Sequence, residues 1–303
     1  MPKLPIDGTE LYYEEKGLGQ SILFIHGSIS DANTWDEQTA LLSPYFRCIA
    51  YDRRGYTRSP LGPAALPGPE RHAEDAAELI RKLGLGRCLL VASSAGAVVG
   101  LEVMLRYPEL LLGAVLSEPA ALSLDGAGAE DFLTAVTSSV SEALAERGPR
   151  AAVDAFADRL DSEAWSKTAE AHRERARANY LALFRLLRAP GYTMTADQLA
   201  RISVPSVVIY GENTPDIFKR VAHRLGEWIE GSHLIELEGA GHHTYLHRPH
   251  AFAKIVTAFS TQLDSKTSRR GLTCARTIDQ APVSPDLWHF KASLSREVGL
   301  TLT

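Results

Sequence analysis

The run Leu89-Leu90-Val91-Ala92-Ser93-Ser94-Ala95-Gly96-Ala97-Val98-Val99 passes from strand to helix around a serine. An apolar, strand-like segment meets a turn of small residues, and a helix-forming segment follows at once. A serine at such a corner is a nucleophile elbow only where the positions two before and two after it lack bulk. Around Ser94 these are Ala92 and Gly96. Around Ser93 they would be Val91 and Ala95, and valine is too large, so Ser94 is the candidate nucleophile. The backbone N–H of Ala95, at the start of the helix, is placed to face a developing oxyanion. In isolation the same stretch also reads as an ordinary small-residue turn, since Ala92 stands where the motif usually has glycine. The rest of the chain decides between the two.

Short, uniformly apolar runs recur on either side of this corner. Ile22-Leu23-Phe24-Ile25, Cys48-Ile49-Ala50-Tyr51, residues 111–116 and Val207-Val208-Ile209-Tyr210 read as strands, and Leu234-Ile235-Glu236-Leu237 is strand-like. Strands without polar alternation belong to a parallel sheet covered on both faces. Residues 70–83 and 97–107 carry helical spacing between them, giving alternating βαβ units. Leu11-Tyr12-Tyr13-Glu14 reads as an early antiparallel strand. The alternation breaks over residues 120–202, which are rich in Ala, Glu and Arg, with Phe132, Phe156, Trp165, Tyr180 and Phe184 at helical intervals. This predicts a helical cap inserted in an α/β core of residues 1–119 and 203–263, its aromatics mainly core, with one or two lining a pocket. Residues 264–303 lack a sustained period and are expected to form a largely disordered tail, with a short helix near 287–294.

With 303 residues, 45% hydrophobic and 23% charged, the chain suits one large α/β domain with an insertion. Its 32 basic against 37 acidic residues argue against a nucleic-acid partner. Cys48, Cys88 and Cys274 lack metal-clip or redox spacing, and the first two fall in strand-like runs as buried, inert thiols. Neither a secretory h-region nor an apolar run of the roughly 20 residues that span a membrane is present. The expectation is a cytoplasmic protein, monomer or homodimer, without a membrane partner.

Two further motifs complete the pattern. Phe24-Ile25-His26-Gly27-Ser28 places a His-Gly pair after a strand, and Tyr51-Asp52-Arg53-Arg54-Gly55-Tyr56 follows the next one as a charged turn. His26, Asp52 and Arg53 read as groups that fix loops. Gly239-Ala240-Gly241-His242-His243 follows the last strand, and His242, directly after glycine, is the candidate general base. His243 is its confusable neighbour, while His247 and His250 read as solvent-facing.

In order and spacing, residues 20–260 resemble the α/β-hydrolase superfamily. That resemblance implies a second oxyanion N–H, at Ser28, and a general base at His242. Most members carry the triad acid where this chain has Thr214, within Gly211-Glu212-Asn213-Thr214-Pro215-Asp216. A carboxylate stands instead in Leu116-Ser117-Glu118-Pro119. The doubled serine, this Glu loop and the Thr-Pro resemble a subgroup that includes lactonases opening zearalenone. The resemblance to it implies a Ser94–Glu118–His242 triad; Asp216 is the rival acid and Glu212 a loop residue. The expected function is a cofactor-free serine hydrolase of a small-molecule ester or lactone. The alternatives are a small-molecule receptor on the same fold, a carbon–carbon bond hydrolase or a thioesterase. A serine elbow argues against the epoxide hydrolases and haloalkane dehalogenases, which use aspartate.

Overall fold

In the computed structural model, residues 2–63, 67–189 and 191–272 are described. Eight strands, β1 (Lys3–Ile6), β2 (Thr9–Lys16), β3 (Gln20–Ile25), β4 (Phe46–Tyr51), β5 (Cys88–Ser93), β6 (Leu111–Ser117), β7 (Ser206–Gly211) and β8 (His233–Leu237), form one sheet in the order β1-β2-β4-β3-β5-β6-β7-β8. β2 pairs antiparallel with both β1 and β4, and the remaining neighbours are parallel. This is an α/β fold with a mostly parallel sheet. The edge strand β1, four residues with Pro5 inside it, is too short to register in the sequence; proline is tolerated at a sheet edge.

The apolar strands divide their side chains between two cores. On β5, Cys88, Leu90 and Ala92 face one layer while Leu89 and Val91 face the other; on β3, Leu23 and Ile25 oppose Ile22 and Phe24. Burial on both faces therefore hides the period of two in the sequence. Helices α1 (Asp36–Leu42), α2 (Pro69–Lys82) and α3 (Ala95–Arg106) follow the early strands. Between β6 and β7 come α4 (Ala127–Arg147), α5 (Pro149–Lys167), α6 (Glu170–Ala178), α7 (Tyr180–Arg188) and α8 (Ala196–Ala200), and the described residues end with α9 (Asp216–Trp228), α10 (Thr244–His247) and α11 (Pro249–Leu272). α2, α3 and α9 cover one face, with the inserted helices packed against that core, and α1 and α11 cover the other.

The last helix runs past the expected tail boundary. α11 continues through residues 264–272, because a helix nucleated by the buried Phe252, Ile255, Val256, Phe259 and Leu263 propagates beyond that buried stripe at little cost. The expected helix near 287–294 lies outside the described residues. Cys48 and Cys88 are buried, and burial pushes both thiols up to about 12, which keeps them protonated and inert.

Candidate active site

Each bulk restriction at the elbow has a physical source. Ala92 faces α3, and its Cβ is 3.4 Å from where a Cβ on Gly100 would sit, so a larger residue would push the helix off the sheet. Any Cβ on Gly96 would lie 2.4 Å from the carbonyl oxygen of His26. Between them Ser94 takes φ 54° and ψ −122°, a region that side-chain-bearing residues rarely adopt. The corner is braced by the neighbouring strand end: Ser94 N–H donates to Ser117 O at 2.9 Å, and Ala120 N–H donates to Ser94 O at 3.2 Å. Ser93 points to the opposite layer and hydrogen-bonds Tyr245.

Glu118 follows β6 with φ 52°, another rarely occupied value. Its side chain is fully buried and receives three donors. Gly211 N–H reaches Oε1 at 2.6 Å, Thr214 Oγ1 reaches Oε2 at 2.7 Å, and His242 Nδ1 stands 3.0 Å from Oε2. Thr214, where the resemblance leads one to expect a carboxylate, is thus a hydrogen-bond donor to Glu118. On the other side of the imidazole, His242 Nε2 lies 3.1 Å from Ser94 Oγ. The Phe218 ring packs on the imidazole at 4.2 Å between centroids. Asp216 is exposed at the start of α9, its charge facing Arg220. Glu212 accepts Gly239 N–H and fixes a loop.

The His-Gly loop is tied from behind. His26 Nε2 accepts the Arg53 N–H at 2.9 Å, so its proton sits on Nδ1, which donates to Gly27 O at 2.8 Å. Arg53 Nη2 donates to the same oxygen at 2.6 Å. In a trans peptide the next N–H points opposite the carbonyl, so Ser28 N–H is turned away from Arg53. Among the described residues neither Ser28 N–H nor Ala95 N–H has a hydrogen-bond partner. Burial, reinforced by the Arg53 charge, holds His26 well below the ordinary imidazole range. Asp52 accepts Ala32 N–H and pairs with Arg58, a loop-fixing role like that of Arg53.

Ser94, His242 and Ser28 open onto a cavity of about 550 Å³. Its outer wall comes from the inserted helices, with Phe156, Leu160 and Trp165 on α5 and Arg175 on α6. His243 and His247 also line it, which corrects the solvent-facing reading of His247: its side chain is 15% exposed, and its Nδ1 accepts Gly241 N–H at 2.9 Å. Both histidines turn toward Asp161 of α5, a buried carboxylate that the sequence reading did not single out. Among the described residues no group of three or more His, Cys, Asp or Glu side chains is placed to hold a metal ion, and no helix is long and apolar enough to cross a membrane.

Comparison with known proteins agrees with this architecture. Over 252 residues the chain is 27% identical to the uncharacterized hydrolase YraK of Bacillus subtilis (strain 168), covering 80% of this chain and 88% of that one. The enol-lactonase from Burkholderia xenovorans LB400 superposes with a TM-score of 0.67 at 23% identity, over 86% of this chain and 100% of that one. A thermophilic esterase from Thermogutta terrifontis gives 0.67 at 23%, over 84% and 94%. At that identity the two structural likenesses are likenesses of fold. Residues 22–255 match the alpha/beta hydrolase family. With most of its length matched in this way, the chain belongs to the alpha/beta hydrolase family.

Proposed function

We propose that this chain is a cofactor-free serine hydrolase that cleaves a carboxylic ester or lactone through an acyl-enzyme. The observation that carries the reading is the unbroken line Ser94 Oγ, His242 Nε2, His242 Nδ1, Glu118 Oε2, with gaps of 3.1 and 3.0 Å, opening on a cavity at its serine end. Ser94 Oγ attacks the carbonyl carbon while His242 Nε2 takes its proton. Glu118 accepts the Nδ1–H, fixes the tautomer and stabilises the imidazolium. The tetrahedral oxyanion receives the free N–H groups of Ser28 and Ala95. His242 then gives its proton to the departing alkoxide, which in a lactone stays tethered to the acyl chain. Water, deprotonated by His242, releases the acid and restores the serine.

Within the family, the Glu118 position and the service of Thr214 to it favour the subgroup resembling zearalenone lactonases, and the inserted helices act as the cap over the acyl site. The esterase and lactonase among the fold neighbours agree with an ester or lactone substrate. The test is a panel of p-nitrophenyl esters and lactones of varied ring size, with a fluorophosphonate probe in parallel. Wild type and Ser93→Ala should turn over substrate and take the label; Ser94→Ala should do neither. Labelling that survives in Ser94→Ala and vanishes in Ser93→Ala would overturn the elbow assignment. Labelling without turnover of any ester or lactone would favour a receptor.

A further inference from the structure

The loop that carries His242 is gripped from a second side. Within α5 the helical geometry breaks at Asp161, with φ −164° and ψ 81°, so its carboxylate turns toward residues 241–247. Oδ1 accepts Ala164 N–H at 3.0 Å, capping the segment that follows as an N-cap aspartate would. Oδ2 accepts the backbone N–H of His243 at 3.1 Å and faces His243 Nδ1 at 3.4 Å and His247 Nε2 at 3.5 Å. Since His247 Nδ1 accepts Gly241 N–H, the proton of the neutral ring sits on Nε2, on the side of Asp161. The two peptide N–H groups next to His242, at Gly241 and at His243, are therefore held in one circuit, the first through His247 and the second by Asp161 itself. A Cβ on Gly241 would lie 2.7 Å from Asp161 Oδ2, so this approach needs glycine there.

The contact is more than a surface ion pair. The Asp161 side chain is 5% exposed. Burial alone would raise its carboxyl, but hydrogen bonds from His243 and Ala164 outweigh this and hold it below the ordinary carboxylate range. The other groups near the circuit are His242 with Glu118 behind it, the buried Tyr245, and the exposed Glu163, which pairs with Lys167.

We propose that Asp161 is a positioning residue: a carboxylate of the inserted helices that sets the place of the His242 backbone, so that the base is fully poised only while α5 is seated on the loop. This rests on the reading of Ser94, His242 and Glu118 given above. It makes one strut serve both the cavity wall and the base, so that displacement of α5 by a ligand would reach the proton-transfer geometry.

The experiment is the second-order rate of fluorophosphonate labelling of Ser94 as a function of pH, read beside the melting temperature. The proteins are wild type, Asp161→Asn, Asp161→Ala, His247→Ala and Asn179→Ala. Asn179 is the comparison: it ties the inserted helices to Thr57 and to Ser30 O, and makes no hydrogen bond to the His242 loop. We expect Asp161→Asn and Asp161→Ala to lower the plateau rate by about tenfold or more. The loss should persist at every pH tested and exceed what the fall in melting temperature accounts for, because the base is displaced rather than the fold loosened. His247→Ala, which releases only Gly241, should show a smaller loss of plateau rate. Asn179→Ala should lower the melting temperature with a loss of plateau rate smaller than that of either Asp161 variant. Wild-type kinetics in both Asp161 variants would overturn the proposal, as would losses in all four variants that merely follow their melting temperatures. Failure of wild type itself to label would overturn the reading of Ser94 and, with it, this one.

Discussion

Two carboxylate–histidine pairs stand side by side on the loop after β8, and they reach it from different parts of the molecule. Glu118–His242 comes from the sheet, with both side chains no more than 2% exposed. Asp161–His243 comes from the inserted helices, and the His243 side chain is 28% exposed at the cavity. The sheet places its groups through backbone: strand ends, the unusual φ of Ser94 and Glu118, and close approaches such as Gly96 to His26. Loosening any one of these means moving a strand. The inserted helices pack on the first core as well, and add side-chain ties of their own, Asp161 to His243 and Asn179 to Thr57. The difference separates duties: the groups proposed for bond making stand at strand ends and on the loops that follow them, while the wall of the cavity comes from helices that reach the same loops by side chains.

The strongest way to break this comparison is to attack the acid. Glu118→Gln should keep the fold and lower kcat by roughly 10⁴-fold, the loss seen when a triad acid becomes an amide. Asp216→Asn should change kcat less than about threefold, since an exposed carboxylate at a helix start contributes little to a distant site. Steady-state kinetics on one ester decides it. The reverse ranking would hand the acid role to Asp216 and remove the sheet's claim to the whole relay.

Parts of this arrangement were legible because the residue types are forced. Ala92 and Gly96 must be small for α3 to meet β5 and the His26 carbonyl, so the elbow shows in the sequence. His242 shows because a glycine lets its loop pass close beside another chain segment. Glu118 was reachable only through the resemblance, since nothing local marks a glutamate after a strand as more than a terminus residue. Asp161 was not reachable: its partner lies 82 residues away, inside a stretch rich in Ala, Glu and Arg. The available signal was Asp161-Ser162-Glu163, an N-cap pattern in the middle of a helical segment. His247 was misread because a four-residue helix shows no periodicity from which to tell its inner face.

Acid should sharpen the comparison by acting on the two regions unequally. Burial, then the neighbouring arginines, hold His26 and His72 of the α/β core well below the ordinary imidazole range. An imidazole that stays neutral in the fold but protonates in the unfolded chain costs no stability above pH 7. Below about 6.5 the unfolded state binds the extra proton, so stability falls as pH falls, by up to about 2 kcal/mol per ring between pH 7 and 5. Asp161 behaves otherwise. Its depressed carboxyl contributes fully above the ordinary carboxylate value of about 4 and begins to be lost only below it. The melting temperature should therefore drop between pH 7 and 5. In His72→Leu the drop should be smaller by several degrees, at roughly 2–4 °C per kcal/mol for a chain of this size. An unchanged slope in that variant would move the acid sensitivity away from this part of the core.

A loss much smaller than that of Glu118→Gln tests how the sheet orients this carboxylate. Thr214 donates to Glu118 Oε2, the same oxygen that faces His242 Nδ1, while Gly211 N–H holds Oε1. Thr214→Val keeps the shape and removes only the hydroxyl donor. Glu118 then keeps its backbone donor and its charge, but one oxygen is free to rotate away from the imidazole. A hydrogen bond to a charged group is worth about 1.5–3 kcal/mol, and 1.36 kcal/mol is tenfold in rate, so a loss of about tenfold in kcat is expected. KM should hold, because Thr214 is not among the residues lining the cavity. A loss as large as that of Glu118→Gln would make the threonine indispensable to the acid. No loss at all would mean that the Gly211 N–H alone fixes it, and that the backbone of β7, with no help from this side chain, keeps the carboxylate in line.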